Sequence, residues 1–262
     1  MTLRWPAEAI WEAVSPQWPS FSVEILPEVD STNTELMRRA RQGQCDPVLL
    51  VAERQTAGRG RLGRDWHSDP QGLGNTLTFS LGVPLAPSDW SGLSLAVGLA
   101  VVQALHPDLQ LKWPNDVWWQ QRKLAGILIE TASVGDARYA VIGIGINIGP
   151  RSTEGLRTPP AWLGELWPEA TAPEALLRVA PVLVRAVQDF ARQGFAPLRT
   201  AFHARDCLYG QAVVGSDGSH GVARGVDASG ALLVHTEQGL LKISSAEVSV
   251  RPAADGLPAV LS

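Results

Sequence analysis

Residues 112–148 read KWPNDVWWQQRKLAGILIETASVGDARYAVIGIGINI, and this stretch decides the fold class of the chain. Short apolar runs at about 109–113, 116–119, 123–130 and 138–148 predict four strands joined by tight turns. Consecutive hairpins in the middle of a chain, with helical patterns on both sides, are typical of α+β rather than doubly wound α/β domains. We therefore expect an α+β fold.

The residues before these hairpins predict three more strands and two helices. The strands are expected at Phe21–Leu26, Val48–Ala52 and Thr76–Leu81, where apolar and β-branched residues cluster. Thr32-Asn-Thr-Glu35 has the spacing of a capping box and predicts a helix that ends near Gly43. Ser88 is expected to cap an apolar helix that runs to about Leu105.

The residues after the hairpins change in character near position 207. The range 151–173 is rich in Pro and Gly and is expected to be irregular, whereas 174–193 and 197–206 have helical patterns. From Leu208 onward, short apolar runs alternate with Gly-, Ser- and Asp-rich turns, which is the pattern of a small β-barrel. We therefore predict two domains, 1–206 and 207–262.

Composition excludes several classes of protein. The chain has 262 residues, 45% hydrophobic and 18% charged, with a formal net charge of −4. A mildly acidic chain is unsuited to bulk nucleic-acid binding, and no apolar run reaches the length of a membrane span. Two cysteines at this size indicate a reducing compartment. We expect a cytoplasmic protein that binds neither DNA nor a membrane.

The loop Gln55-Thr-Ala-Gly-Arg-Gly-Arg-Leu-Gly-Arg-Asp-Trp66 indicates an anion site. With Arg54 it brings four arginines and three glycines together. Glycines let backbone amides approach a ligand closely, and guanidinium groups fit phosphate or carboxylate. Taken alone, the loop is equally typical of a solvated basic turn or a nonspecific nucleic-acid patch.

Five motifs in order resemble those of the biotin protein ligases, which attach biotin to a lysine of carboxylase carrier domains. The motifs are Ser31–Asn33, the Gly/Arg loop, Lys112–Asp116, Lys123–Glu130 and Gly143–Asn147. The resemblance implies an ATP-dependent ligase with a mixed-sheet catalytic domain and a small C-terminal SH3-like barrel. It implies biotin and ATP as substrates, Mg²⁺ as cofactor, and a biotin carboxyl carrier protein or domain as partner.

The resemblance also implies a chemistry with two steps. Biotin carboxylate attacks the α-phosphorus of ATP to give biotinyl-5′-AMP, and a carrier lysine then attacks that anhydride. Lys123, Arg59 and Arg61 are the catalytic candidates, because cations stabilise the charge that develops in both steps. Asp116 is the candidate metal ligand, since Mg²⁺ prefers oxygen donors.

The binding residues that the resemblance implies fall into two groups. The biotin-binding candidates are Ser31, Thr32, Asn33, Gln55, Gly58, Arg59, Gly60, Arg61, Lys123, Gly126, Gly143 and Gly145. The ATP-binding candidates are Arg61, Trp66, Lys112, Asn115, Asp116, Lys123, Asn147 and Arg251.

Several of these residues have structural interpretations that remain open. Thr32 suits helix capping alone, and Asn115–Asp116 suits a plain turn after Pro114. Trp66 suits core packing, and Lys123 suits a solvated hairpin end. The alternation at 142–148 puts isoleucines on one strand face and Gly143, Gly145 and Asn147 on the other. A face without side chains accepts either a ligand or close sheet packing.

Three other functions remain as alternatives. A lipoate ligase or octanoyl transferase shares the lysine strand but lacks a Gly/Arg loop joined to a KWPND segment. A ligase–repressor needs a helix-turn-helix, for which the residues before Ser31 are too few. A nonenzymatic nucleotide-binding protein would use the Gly/Arg loop alone. The family's frequent dimers through sheet edges leave a homodimer open.

Overall fold

The computed structural model describes residues 3–66, 73–135, 137–150, 159–244 and 250–252, which form two sheets and five helices. The larger sheet has seven strands, in the order β1-β2-β3-β7-β6-β5-β4. Its strands are β1 (Ser22–Val29), β2 (Val48–Gln55), β3 (Thr76–Pro84), β4 (Gln110–Lys112), β5 (Asp116–Trp119), β6 (Arg122–Val134) and β7 (Ala137–Asn147).

The larger sheet is mixed. β1 and β2 pair in parallel, and all its other neighbouring strands pair antiparallel. The parallel pair needs a crossover, and helix α2 (Thr32–Arg41) provides it. The predicted α+β class is therefore confirmed, and the predicted hairpins lie at β4–β5, β5–β6 and β6–β7.

Helices cover both faces of this sheet. α1 (Ala7–Val14), α3 (Leu93–Leu105) and α4 (Ala172–Gln193) pack on the face that carries the isoleucines of β7. α2 packs on the opposite face, where it covers Leu50, Tyr139 and Val141. Asn33 in the first turn of α2 reaches Gly143 of β7, and beside it this face keeps an open area.

Two predicted helix starts are wrong. The N-cap of α2 is Ser31 rather than Thr32, because Ser31 has extended dihedrals and its hydroxyl accepts a hydrogen bond from Thr34 N at 3.5 Å. α3 begins at Leu93 rather than near Ser88. Asp89 Oδ1 accepts a hydrogen bond from Ser91 N, and this turn chemistry keeps the chain non-helical until Gly92.

The residues between β7 and the second sheet are more ordered than predicted at one point. Within the described part of 151–173, a 3-10 turn spans Leu163–Glu165. α4 then continues through Pro181. The predicted helix at 197–206 is a 3-10 turn at Ala196–Leu198 followed by the short α5 (Arg199–His203).

The C-terminal residues form a separate antiparallel sheet in the order β11-β10-β9-β8-β12. Its strands are β8 (Ala212–Gly215), β9 (His220–Val226), β10 (Leu232–Thr236), β11 (Gly239–Ile243) and β12 (Val250–Pro252). Among the described residues β11 and β12 do not pair with each other, so the predicted closure into a barrel is not confirmed. No described helix combines the length and apolarity needed to cross a membrane.

Candidate active site

A narrow cavity, here called the inner cavity, lies where the N-terminus of α2 meets the open area of the larger sheet. All predicted biotin-binding residues except Gly58 line it, together with Trp66, Thr78, Phe79, Asn115, Ile127, Leu128 and Ile144. Its volume is only about 50 Å³. Residues distant in sequence, from Ser31 to Gly145, therefore converge on one site.

One wall of the inner cavity is a hydrogen-bonded polar cluster. Gln55 Oε1 accepts from the backbone N and the hydroxyl of Thr32, at 2.8 and 3.1 Å. Ser80 Oγ lies 2.7 Å from both Thr32 Oγ1 and Asn33 Oδ1. Because buried polar groups are stabilised by such partners, these side chains are held in fixed orientations, and Thr32 serves the cavity rather than the helix cap.

The adjoining wall is the glycine face of β7, because Ser80 of β3 pairs with Gly143. A Cβ at Gly143 would overlap the Asn33 amide, and one at Gly145 would overlap the indole of Trp66. Asn33 Nδ2 also donates to Leu128 O at 3.2 Å and to Glu130 Oε2 at 3.0 Å. The predicted side-chain-free face is thus present, and in this structure Asn33 and Trp66 lie on it.

The Gly/Arg loop folds back on itself beside this face. Gly60 N donates to Arg64 O at 2.6 Å and Trp66 N to Gly58 O at 2.9 Å, so the two ends of the loop are paired. A Cβ at Gly58 would overlap the Trp66 carbonyl oxygen. Gly58 therefore shapes the loop without lining the cavity.

The arginines of the loop differ in their surroundings. Arg59 reaches Glu130 Oε1 at 3.1 Å, and Arg61 reaches Asn115 Oδ1 at 3.4 Å, so both point toward the sheet. Arg54 instead forms an exposed ion pair with Glu28 at 2.8 Å. Arg59 and Arg61 are thus separated from Arg54, which is a surface charge.

A wide second cavity of about 630 Å³, the outer cavity, opens beside the inner one. All predicted ATP-binding residues except Asn147 line it. The two cavities share Gly60, Arg61, Trp66, Asn115 and Lys123. The β8–β9 turn contributes Gly215, Ser216 and Gly218, and Arg251 of β12 also lines this cavity, so the C-terminal sheet forms part of its wall.

Positive charge dominates the outer cavity. Arg61, Arg64, Lys112, Lys123 and Arg251 line it, against the two carboxylates Asp65 and Asp116. Burial lowers the pKa of Lys112 and of Arg61, and the nearby Asp116 opposes both shifts. An anion entering here would compensate the burial of these cations.

Lys123 and Asp116 meet at the junction of the two cavities. Lys123 Nζ lies 2.7 Å from Asp116 Oδ1 and 5.8 Å from the centroid of the Trp66 ring. Asp116 leads β5 and Lys123 is the second residue of β6, so the hairpin brings them together. The predicted catalytic lysine is therefore held at the point that a ligand in either cavity reaches.

Asn147 lies behind the site rather than in it. Its side chain is buried, and Nδ2 donates to Ala161 O at 3.0 Å and to Lys123 O at 3.4 Å. In this arrangement Asn147 supports the backbone of Lys123, and its contact with a nucleotide stays a prediction.

Sequence reasoning missed three residues of the site. Ser80 and Thr78 lie on β3 facing the polar cluster, and Glu130 bonds both Asn33 and Arg59. The alternation of Thr76, Thr78 and Ser80 with apolar residues was the available signal, because hydroxyl groups on a central strand need partners. For Glu130 the signal was its place at the end of the lysine motif.

Comparison with known proteins agrees with this geometry. A model described as the Biotin/lipoate A/B protein ligase family matches residues 25–147, and one described as Biotin protein ligase C terminal domain matches 210–251. The biotin–[acetyl-CoA-carboxylase] ligase of Paracoccus denitrificans is 36% identical, with 86% of this chain and 98% of that protein covered. The bifunctional ligase/repressor BirA of Escherichia coli is 34% identical, with 88% and 75% covered.

A solved structure supports the same assignment. The biotin protein ligase from Aquifex aeolicus in complex with biotin and ATP superimposes with a TM-score of 0.75 at 31% identity, covering 88% of this chain and 99% of that one. Both the sequence relatives and this structure span nearly the whole fold described above. The chain therefore belongs to the biotin protein ligase family.

Proposed function

We propose that this chain activates biotin with ATP as biotinyl-5′-AMP and transfers the biotinyl group to a lysine of a biotin carboxyl carrier protein. The observation that carries the proposal is that the inner and outer cavities join at Arg61, Trp66, Asn115 and Lys123. A carboxylate at the end of one cavity and a phosphate in the other would meet beside two cations.

Lys123 and Arg61 are the proposed catalytic groups at this junction. Attack of a carboxylate on the α-phosphorus concentrates negative charge, and fixed cations there stabilise the transition state more than the separated reactants. Lys123 Nζ would exchange its Asp116 partner for the reacting anions. The hairpin fixes the lysine in advance, so little reorganisation is needed when the reactants arrive.

Arg59 and the Gly/Arg loop are proposed to close the site. Biotin needs more room than the inner cavity offers here, so Trp66 and the loop have to move before the ring can enter. Once biotin is bound, Arg59 and Arg61 would fold over the acyl phosphate and exclude water from the anhydride. Ser31, Thr32, Asn33 and Gln55 would then hydrogen-bond the ureido ring.

Mg²⁺ is proposed to arrive with the phosphates of ATP. Asp116 supplies a carboxylate and Asn115 an amide oxygen beside the outer cavity, while the described residues contain no cluster of three or more metal-binding side chains. Mg²⁺ is commonly held by one or two carboxylates and substrate phosphates. Asp116 and Asn115 fit that role, in which the ion neutralises phosphate charge.

The acyl substrate and the carrier distinguish this proposal from a lipoate ligase. Relatives named biotin–[acetyl-CoA-carboxylase] ligases favour biotin as substrate and the carrier domain of that carboxylase as acceptor. The test is to incubate the protein with ATP, Mg²⁺ and either biotin or lipoate, with a carrier domain of each type. We expect only biotin to be transferred, and transfer of lipoate with biotin ignored would overturn the proposal.

A simpler measurement distinguishes the proposed ligase from a nonenzymatic nucleotide-binding protein. A ligase that forms an adenylate reversibly exchanges labelled pyrophosphate into ATP only when biotin is present, whereas a protein that merely binds ATP cannot do so. We expect biotin-dependent exchange.

We also propose that residues 207–262 form an SH3-like barrel as a second domain. Five antiparallel strands separated by short turns support this reading, and Arg251 from that sheet would contribute to ATP binding. Separate expression of 1–206, compared with the whole chain for ATP affinity, is the corresponding test. Unchanged affinity would exclude a role for Arg251.

A homodimer through the sheet edge remains a proposal as well. β5 pairs with β6 only as far as Gly126, so within the described residues β7 is the only strand partner of β6 beyond Ile127. An unpaired edge of this kind accepts a second strand. Sedimentation with and without biotin and ATP would measure the association.

We propose that the residues before Ser31 do not act as a DNA-binding module. The segment before Ser31 contributes α1 and β1 to the catalytic unit, where Ile10 and Val14 are buried, and Arg4 is its only lysine or arginine. Phosphate contacts need several such charges. Sequence-selective binding at physiological salt in an anisotropy titration would overturn this point.

The proposed location is the cytoplasm. Cys45 and Cys207 are free thiols, which a reducing compartment preserves.

A further inference from the structure

We infer that Glu165 is a positioning residue for Lys123, acting through Arg122 and the turn at Trp162–Glu165. This inference rests on the proposed function, because it assigns a support to the lysine that function requires. The starting observation is that Lys123 has a strand partner on the β5 side only, where it pairs with Trp118.

Lys123 lies at an irregular point of the larger sheet. Val117 of β5 pairs with Ala125 and Trp118 pairs with Lys123, so Leu124 is the extra residue of a bulge directly after Lys123. The pairing of β6 with β7 begins only at Ala125, so Lys123 has no strand partner on that side. Such bulges redirect side chains and leave a residue outside the regular ladder. The Lys123 peptide therefore needs another anchor on the β7 side.

The residues before the 3-10 turn provide that anchor. Ala161 N donates to Lys123 O at 3.0 Å. Asn147 Nδ2 bridges Lys123 O and Ala161 O, and Gly164 N donates to Ile148 O at 3.0 Å. Ala161, directly before the turn, is thus bonded to the lysine strand, and the turn itself is bonded to Ile148, the residue after β7.

A side-chain ion pair locks this turn in place. Arg122 is adjacent to Lys123, and its guanidinium binds Glu165 through two bonds of 3.1 and 2.5 Å. Glu165 Oε1 also accepts from Trp162 N at 3.1 Å. Both side chains are mostly buried, at 22% and 16% exposure. A bidentate, shielded pair has the geometry that makes an ion pair strong and directional.

The consequence is a division of labour around Lys123. Asp116 contacts the ammonium group of Lys123. Glu165 acts on the Lys123 peptide through Trp162 and Ala161, since it accepts from Trp162 N and Ala161 N donates to Lys123 O. Loss of Glu165 would release the turn, let the peptide shift, and misplace the ammonium relative to the reacting phosphorus. It would leave the walls that bind biotin and ATP largely unchanged, because Glu165 lines neither the inner nor the outer cavity.

A double-mutant cycle tests this inference. Biotin-dependent ATP–pyrophosphate exchange is measured for wild type, Glu165→Ala, Lys123→Ala and the double variant. We expect Glu165→Ala to lower kcat about tenfold to a hundredfold, the scale of a small misplacement of a reacting group, with KM for biotin and ATP little changed. In the Lys123→Ala background the same change should cost nothing further, because its effect passes through the lysine.

The control is Asp189→Ala, which removes the exposed pair between Asp189 and Arg192 and should leave exchange unchanged. If circular dichroism shows that Glu165→Ala does not fold, the same kinetic measurements are made on Arg122→Gln. This variant removes the Arg122–Glu165 ion pair but keeps the hydrogen bond from Trp162 N to Glu165. Normal kcat in the folded variant, or an equal loss with and without Lys123, overturns the inference. Absence of exchange in wild type overturns the proposed function itself.

Discussion

Trp113 Nε1 donates a hydrogen bond of 3.0 Å to Gly230 O, joining two buried residues 117 positions apart. Trp113 follows Lys112 and precedes Pro114 and Asn115, which line the outer cavity. Gly230 lies in the turn between β9 and β10. The C-terminal sheet is therefore bonded directly to the segment that would face ATP, which explains how Arg251 and Ser216 come to share that cavity.

The fit of the C-terminal turn against the catalytic domain should be sensitive to a single methyl group. Gly230 has φ +82° and a Cβ there would lie 2.9 Å from Gly92 Cα and 3.1 Å from Leu95 Cδ1. Gly43 has the same kind of dihedral, φ +83°, with open space around it. We expect Gly230→Ala to lower the free energy of unfolding by about 1–3 kcal/mol more than Gly43→Ala. Urea unfolding of both variants measures the difference, and equal losses would show that only the backbone dihedral matters.

Lys123→Ala should slow adenylate formation by about two to three orders of magnitude, the usual scale for removing one group that stabilises a transition state. The fold should survive, because the ammonium lies at a cavity junction and contributes little to the core. Biotin-dependent exchange gives the rate, and circular dichroism melting gives the stability. Near-normal exchange would mean that Lys123 is a solvated hairpin residue.

Arg61→Ala should let the reactive intermediate escape. Arg61 holds the loop toward Asn115, so its loss weakens closure over the adenylate. Free biotinyl-AMP would then modify lysines of unrelated proteins, because the anhydride is already activated. Mass spectrometry of a bystander protein measures this labelling. The matched control is Arg54→Ala, which removes an exposed arginine of the same segment; equal labelling by both variants would refute retention by the loop.

ATP affinity should fall as pH rises in the alkaline range, because burial lowers the pKa of Lys112. A lysine with a lowered pKa loses its proton at a lower pH than a free lysine, whereas bound phosphate favours the charged form. Binding should therefore be accompanied by proton uptake near that lowered pKa. Calorimetry in buffers of different ionisation enthalpy measures the uptake. Lys112→Arg should abolish this proton uptake. Uptake that persists in the variant would mean that another group takes up the proton.

Asp206 should make stability depend on pH in the acid range. Burial raises its pKa to about 6, above its value of about 4 in an unfolded chain. Its contribution is fully present below pH 4 and is lost as pH rises through about 6, by on the order of 3 kcal/mol. Denaturant unfolding should show Asp206→Asn to be less dependent on pH between these values. If the free energy of unfolding of Asp206→Asn depends on pH as strongly as that of the wild type, the Asp206 carboxyl is hydrated.

The boundaries of individual elements show where local patterns mislead. The capping box at Thr32 and the start at Ser88 both followed accepted local signals, yet the caps are Ser31 and Gly92. The Thr32 hydroxyl is instead hydrogen-bonded to Gln55 of β2 and Ser80 of β3. No local sequence pattern contains that information.

The sequence alone was sufficient to predict the α+β class, the hairpins and the family, whereas the division into two domains stays a prediction. The reason is that these features are encoded by local periodicity and by motifs whose residue types carry the chemistry. Most of the predicted site residues line one of the two cavities, because each motif supplies its own part of the walls, and their roles stay predictions.

Only the tertiary structure decided how those parts meet. It separates an inner from an outer cavity and places Lys123 and Arg61 at their junction, puts Trp66 on the glycine face, and puts Asn147 behind the lysine. It also shows that Glu130, Ser80 and Glu165 support residues far from them in sequence. Such contacts depend on strand register and on which side chain fills a shared space, and both are set by the packing of the whole fold rather than by any segment of it.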